Sequence, residues 1–321
     1  MTKPAASLRV LLTDLIDYAG LFPPAALDMK SAVANYSRYL RGEYAWMLGR
    51  FVLPAGRLCE FEQALPENEP QSWRLSLLLG PKFEDDVAAL DAFALRCSKL
   101  AVVDCVETKV ESAEDVEKAH RLIGTATTTY YETPLTAQLP ELLDAIKRAN
   151  GRAKIRTGGV TAEAFPPSEA VAKFLLECAR RELPFKATAG LHHPIRCVKP
   201  LTYEANAPTG TMHGFLNVFV TSALTWANDK TITCNDDFDI RPGAVMRGPF
   251  PTSRGREDAA FYAKFLNIVS PFAFRDDGLR EPAQAQLPKA VIASARANFA
   301  ISFGSCSFEE PIADLKALDL L

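Results

Sequence analysis

Short apolar runs recur along this 321-residue chain at nearly constant spacing, and that rhythm limits the folds open to it. They begin near Trp46 ("WMLGRFVLP"), Arg74 ("RLSLLLG"), Leu100 ("LAVVDCVE"), Thr127 ("TTTYYET"), Ala153 ("AKIRTGG") and Phe185 ("FKATAG"), 26 to 32 residues apart. Each interval is the length of one strand, one helix and two short loops. The segments between have helical period. In "PPSEAVAKFLLECARREL", Val171, Phe174, Leu175 and Cys178 fall at i, i+3, i+4 and i+7, and Ser168 is expected to cap. In "ESAEDVEKAHRLIG", Ser112 and Asp115 make a loose capping box and Gly124 a stop. Runs such as "RLSLLLG" are apolar on both faces, as expected of strands covered by helices on each side.

Adding "IDYAGLF" before the series and "FAISFGSCS" at its end brings the count to eight. Eight βα units in a chain of this length predict an α/β fold, a (β/α)8 TIM barrel forming a single domain over residues 1–321. An open, doubly wound sheet would need a phosphate-binding glycine turn after its first strand, and none is present. One interval breaks the rhythm: more than a hundred residues separate Gly190 from the last strand near Phe299. "HGFLNVFVTSALTWAN" reads as the seventh helix and "PKAVIASARANFA" as the approach to strand eight. Residues 229–290 read as an excursion inserted between strands seven and eight. Its part from Asp229 to Glu257 is dense in Gly, Pro and Asp and carries Arg241, Arg247 and Arg254. That part is expected to cover the pocket as a lid, with an oligomer contact as the rival reading.

Hydrophobic residues at 48% and charged residues at 23% allow a sizeable packed core. A net charge of −3 without a basic stripe gives no footprint for nucleic acid. No stretch approaches the ~18 uncharged apolar residues of a membrane span, and Asp14 and Asp17 interrupt the first apolar run, unlike a signal peptide. The expectation is a cytoplasmic homo-oligomer acting on a small molecule, with neither nucleic-acid nor membrane partners. Seven cysteines, dispersed and without a CxxC pair, read mostly as small core residues.

In such a barrel the chemistry lies at the C-terminal ends of the strands. The polar residues near those ends are Asp17, Asp104, Glu107, Glu132, Lys154, Arg156, Lys186 and Thr188, then His192 and His193, and the turn Gly304–Ser307. A lysine inside an apolar strand is costly to desolvate, yet it occurs in two successive runs. Alternation places Lys154 and Arg156 on one face, and Lys186 on the next strand would make a third converging cation. Such crowding is expected to lower the pKa of one lysine, leaving a neutral amine suited to Schiff-base formation. The plainer reading has Lys154 turned outward or paired with Glu132. His192 and His193 could meet a divalent ion with Glu132 or Asp104, but neighbouring residues diverge, and loop hydrogen bonding is preferred. No metal ligand and no cofactor are assigned. Cys306, with no evident histidine partner, reads as a small residue in an anion-binding turn. His213 reads as a cap at a helix start, and His120 as solvated.

"KIRTGG" followed by "FKATAG" resembles strands six and seven of the deoxyribose-phosphate aldolase family, where a K-x-x-T-G lysine forms the Schiff base beside an F-K-x-x-G lysine. "FGSCSF" resembles that family's phosphate-binding turn, "IDYAGLFPPA" its first strand, and "VVDCVE" the strand whose aspartate moves protons. The resemblance implies a class I, lysine-dependent aldolase or lyase acting on a small phosphorylated or carboxylated carbonyl compound. It implies Lys154 as nucleophile and Lys186 beside it, with Asp104 and Asp17 or Glu107 as proton carriers. Arg156, Thr157, Gly158, Thr188, Gly190, His192, Gly304, Ser305 and Ser307 would surround the substrate. The chain departs from the family at Arg156, at Glu107 and in "AGLHHPIR", it lacks the C-terminal tyrosine, and it adds the excursion. The alternatives are a metal-assisted barrel enzyme of enolisation or hydrolysis and a non-catalytic anion-binding barrel.

Overall fold

The computed structural model describes residues 3–66, 72–80, 82–97, 99–229, 232–234, 238–240, 259–280 and 286–321. Eight parallel strands close into a barrel: β1 (Ile16–Tyr18), β2 (Leu48–Pro54), β3 (Trp73–Leu78), β4 (Ala101–Lys109), β5 (Thr128–Glu132), β6 (Arg152–Arg156), β7 (Phe185–Thr188) and β8 (Ala300–Ser305). Each neighbour in sequence is a neighbour in the barrel, and β8 returns to pair with β1, Asp17 lying opposite Gly304. The expected (β/α)8 barrel with a long insertion between its seventh and eighth strands is therefore what the chain forms.

Outward residues knit the strands to the helices around them. Tyr36, Phe51, Phe61 and Trp73 form one aromatic seam, with Tyr36 and Trp73 ring centres 4.6 Å apart. Phe174, Phe185, Phe219 and Phe299 form another behind β7. Each fully buried side chain of this size adds roughly 1.5–3 kcal/mol, so these two seams carry much of the apolar drive. The helix Ala113–Ile123 has the capping box expected of Ser112 and Asp115, and it ends at Gly124 with φ 74°. Ser168 behaves differently from expectation. It is the first residue of the helix Ser168–Arg180, behind Pro167, and its hydroxyl reaches Asn267 at 2.7 Å instead of capping.

Between β7 and β8 the chain first makes an antiparallel hairpin, Cys197–Pro200 with Thr209–Met212, and then the helix Phe215–Asp229. The helix Ala259–Leu266 packs on Ser168–Arg180, and a small sheet of Ala273–Phe274, Gly278–Arg280 and Gln286–Pro288 lies against the helix Ala6–Leu12. The expected lid falls largely outside the described residues, and Arg241, Arg247 and Arg254 wholly so.

The glycines after the two lysine strands have a packing role. Gly158 and Gly190 cross so closely that a Cβ on Gly158 would stand 2.8 Å from the Gly190 Cα and 2.4 Å from the Phe165 ring. Gly190 also has φ +75°, a conformation side chains resist. The loops after β6 and β7 therefore lock together above the lysines. Gly158→Ala should cost about 1–3 kcal/mol by overpacking, read as a lower urea midpoint at unchanged slope. An unchanged midpoint would show that the two loops part freely.

Candidate active site

Strand alternation turns an unusual set of residues inward. TIM barrels are ordinarily filled with branched apolar side chains. Here β2 points Arg50 inward, β6 points Lys154 and Arg156, and β7 points Lys186, while Phe51, Ile155 and Phe185 face the helices. Lys154 and Lys186 are in register across β6 and β7. They do not crowd one another unopposed, because carboxylates sit between the cations. Lys186 Nζ lies 2.7 Å from Asp17 Oδ2 and 2.5 Å from Glu107 Oε1. Lys154 Nζ lies 2.7 Å from both Glu107 Oε2 and Glu132 Oε2. Arg156 Nε donates to Glu132 Oε1 at 3.0 Å. On the other side, the Arg50 guanidinium is 3.6 Å from Asp17 Oδ1 and 2.6 Å from Asp104 Oδ2.

These contacts link eight charges in strictly alternating sign: Asp104, Arg50, Asp17, Lys186, Glu107, Lys154, Glu132, Arg156. Hydroxyls and backbone amides fill the remaining valences. Ser76 donates to Glu107 at 2.5 Å, Ser302 to Asp17 at 2.8 Å, and the Arg50 amide to Asp17 at 2.7 Å. Gly49 makes the last contact possible, since a Cβ there would stand 2.3 Å from Asp17 Oδ1.

The electrostatics follow from this order. Burial pushes the Asp17 carboxyl up, but Lys186 and Arg50 outweigh it and hold it below its ordinary value. Burial likewise opposes the charge on Glu107 and Glu132. Lys154 and Lys186 beside Glu107, and Lys154 and Arg156 beside Glu132, bring both carboxyls down. Lys186 is raised, because Asp17 and Glu107 overcome its desolvation. For Lys186 this is the reverse of a lysine pushed toward neutrality by neighbouring cations. The plainer pairing of Lys154 with Glu132 is realised, but inside the barrel.

Above the array lies a cavity of about 270 Å³. Lys154, Lys186, Glu107, Arg156, Thr188 and Gly304 form its polar floor and side, with Gly190, His192 and Cys306 at the rim. Phe22, Pro23, Pro24, Val52, Leu78 and Val160 give it an apolar wall. Lys154 and Lys186 are buried, whereas the Arg156 side chain is 46% exposed.

Other expected site residues take different places. Asp104 falls in an irregular step of the β3–β4 ladder, between the pairings of Val103 and Cys105. It is turned away from the cavity toward Arg50 and Arg74. Asp17 lies beneath Lys186 and does not line the cavity. Thr157 spends its hydroxyl on the Ala189 carbonyl at 2.7 Å, and Ser305 spends its own on the Ser307 carbonyl at 2.6 Å. Ser307 accepts from the Glu310 amide. Gly158 serves the loop crossing. His192 and His193 diverge, His193 pairing with Asp314 at 2.5 Å, so no site with Glu132 or Asp104 assembles. Among the described residues no group of three or more His, Cys, Asp or Glu side chains could hold a metal ion. His213 does not cap a helix. It is buried, with Nε2 2.8 Å from the Pro166 carbonyl. Cys306, expected to lack a histidine, has His192 at 3.9 Å.

Arg50 was open to detection in sequence. It interrupts the apolar run "WMLGRFVLP" just as the lysines interrupt theirs. The apolar wall and the partners of Cys306 carried no local signal.

The depressed carboxyls tie stability to pH. Their contribution is present above the ordinary carboxylate value of about 4 and is lost as pH falls through the folded values. Lys186 contributes fully below the ordinary lysine value of about 10.4, and that contribution goes only as pH rises through its higher folded value. Denaturant unfolding should show stability falling steeply below about pH 4. Asp17→Asn, which strips a partner from Lys186 and Arg50, should cost about 3–5 kcal/mol at pH 7 and flatten that acid limb. An acid limb unchanged in this variant would contradict the assignment.

No helix among the described residues is long and apolar enough to cross a membrane. Comparison with protein-family models, curated proteins and solved structures finds no match, and the chain stands as a (β/α)8 barrel with a lysine–carboxylate array beneath its cavity.

Proposed function

We propose that this chain is a class I lyase of the aldolase type, forming a Schiff base between Lys154 and a small carbonyl compound that carries an anionic group. The observation that carries the reading is the position of Lys154 Nζ. It lines the cavity between two carboxylates, one of which, Glu132, it shares with the half-exposed Arg156. A substrate carboxylate or phosphate would draw Arg156 to itself through paired hydrogen bonds. Glu132 then loses a cation and gains proton affinity.

The steps balance on this chain's own residues. Glu132 takes a proton from the Lys154 ammonium, the free amine adds to the carbonyl carbon, and a second nitrogen proton moves to the carbonyl oxygen to make it a hydroxyl. Glu132 returns the proton to the departing hydroxyl, which leaves as water, and the iminium forms. The iminium carries the charge that the ammonium carried, so Glu107 and Glu132 remain neutralised throughout. Regenerated Glu132 accepts the proton of a hydroxyl β to the iminium while the carbon–carbon bond breaks and its electrons pass to the nitrogen. Lys186, held charged by Asp17 and Glu107, fixes the position of Glu107. Asp104 anchors Arg50 at the far end of the array and takes no part at the substrate.

Borohydride reduction in the presence of a panel of aldehydes and keto acids, read by peptide mass spectrometry, tests this. The adduct is expected on Lys154 and absent from Lys154→Met. An adduct on Lys186 would move the nucleophile, and no adduct with any carbonyl compound would overturn the reading. In Arg156→Ala, adduct formation with keto acids should fall at least tenfold while that with neutral aldehydes changes little. Folding should change by less than about 1 kcal/mol, because the lost ion pair is half exposed. Equal loss with both classes would remove Arg156 from anion recognition.

A further inference from the structure

The rim of the cavity holds a cluster that the lysine chemistry does not use. Cys306 follows β8 and lines the cavity with His192 from the loop after β7. Cys306 Sγ lies 3.9 Å from His192 Nδ1, and that nitrogen is 3.2 Å from Glu310 Oε2. The hairpin after β7 brings Tyr203 over the pair. Its hydroxyl is 3.8 Å from Cys306 Sγ and 3.3 Å from Glu310 Oε2. Tyr18, from β1, also lies within electrostatic reach of the sulfur. Thiol and carboxylate thus face the same imidazole nitrogen, where His192 can take the thiol proton and Glu310 can balance the charge that results.

We propose that Cys306, His192 and Glu310 form a second reactive centre at the mouth of this cavity, where the thiol adds to a conjugated carbonyl compound. A thiolate is a soft nucleophile that needs a nearby base and a partly accessible position. The cationic floor of the cavity would hold the carbonyl oxygen and leave the β-carbon toward the rim. The thiol proton passes to His192, the sulfur–carbon bond forms as the carbon–carbon π bond opens, and His192 delivers the proton to the α-carbon. Nothing is released, and no other reagent is consumed. Burial works against a charged imidazole, but the hydrogen bonds to Cys306 and Glu310 outweigh it and push His192 up to about 9, so the neutral imidazole that takes the thiol proton grows as pH rises toward that value.

N-ethylmaleimide is the probe, with each cysteine of the full chain followed by peptide mapping at pH 8, where more of the imidazole is neutral than at pH 6. Cys59 is exposed and provides the internal reference, whereas Cys306 is buried to 6% exposure. Cys306 is expected to react at least tenfold faster than Cys59, and His192→Gln to remove that advantage while leaving the Cys59 rate unchanged. Tyr203→Phe, a milder change, should lower the Cys306 rate by less than His192→Gln does. Lys154→Met takes one cation from the floor and should lower the Cys306 rate by less than His192→Gln does while abolishing the Schiff-base adduct, so failure of the Schiff-base reading and failure of this one are told apart. A Cys306 rate at or below that of Cys59 in the unaltered protein would overturn the proposal. So would an undiminished rate in a folded His192→Gln protein.

Discussion

Glu107 accepts from both buried lysines at once, Lys186 on one oxygen and Lys154 on the other. That double contact is what the interior of this barrel depends on. An isolated ammonium in such a place would be expelled or neutralised, and two of them across adjacent strands would repel. With Asp17, Glu107 and Glu132 interleaved, each cation has an anion on either side or a path to solvent. The cost of desolvating so many charges is recovered only if every one keeps its partners. The array is therefore brittle, and its value lies in fixing positions more than in adding stability.

The surrounding fold can be understood as what this array requires. Outward aromatic seams supply the apolar burial that a polar interior cannot. Gly49 opens room for Asp17, and the Ser76 and Ser302 hydroxyls donate to the same carboxylate oxygens that Lys186 reaches, Glu107 Oε1 and Asp17 Oδ2. The array is closed and neutralised where it is deepest. It opens at Arg156, the only member besides Asp104 with substantial exposure. A ligand entering the cavity thus meets the end of the array that can be rearranged at least cost, and a change there is passed to Lys154 through Glu132.

Strand spacing made the barrel legible in the sequence, because a βα unit has a nearly fixed length. Alternation in β6 and β7 placed Lys154, Arg156 and Lys186 inside. Of the pairing, the contact of Lys154 with Glu132 was foreseen as the plainer alternative, and the rest was not legible. Asp17 lies 169 residues from Lys186 and Glu107 lies 79, and no local pattern reports contacts of that range. Cations were visible as interruptions of apolar runs, whereas their carboxylates sat at strand ends, where polar residues are common. Asp104 was chosen for its nearness to a strand end and for the resemblance of "VVDCVE", and neither reports the irregular step in β4 that turns it toward Arg50 and Arg74. Thr157 and Ser305 were assigned to the substrate through the resemblance of "KIRTGG" and "FGSCSF", yet backbone carbonyls nearby accept from their hydroxyls. Cys306 and His192 meet across 114 residues.

The central claim is that shared carboxylates, not neighbouring cations, set the charge of the buried Lys186. Carbon-detected NMR of protein labelled at lysine Cε, titrated from pH 7 upward, reports it directly. The Lys186 resonance should hold its ammonium position as pH passes the ordinary lysine value of about 10.4, and Glu107→Gln should bring its titration to lower pH. A Lys186 resonance that titrates below the ordinary lysine value in the unaltered protein would contradict the account.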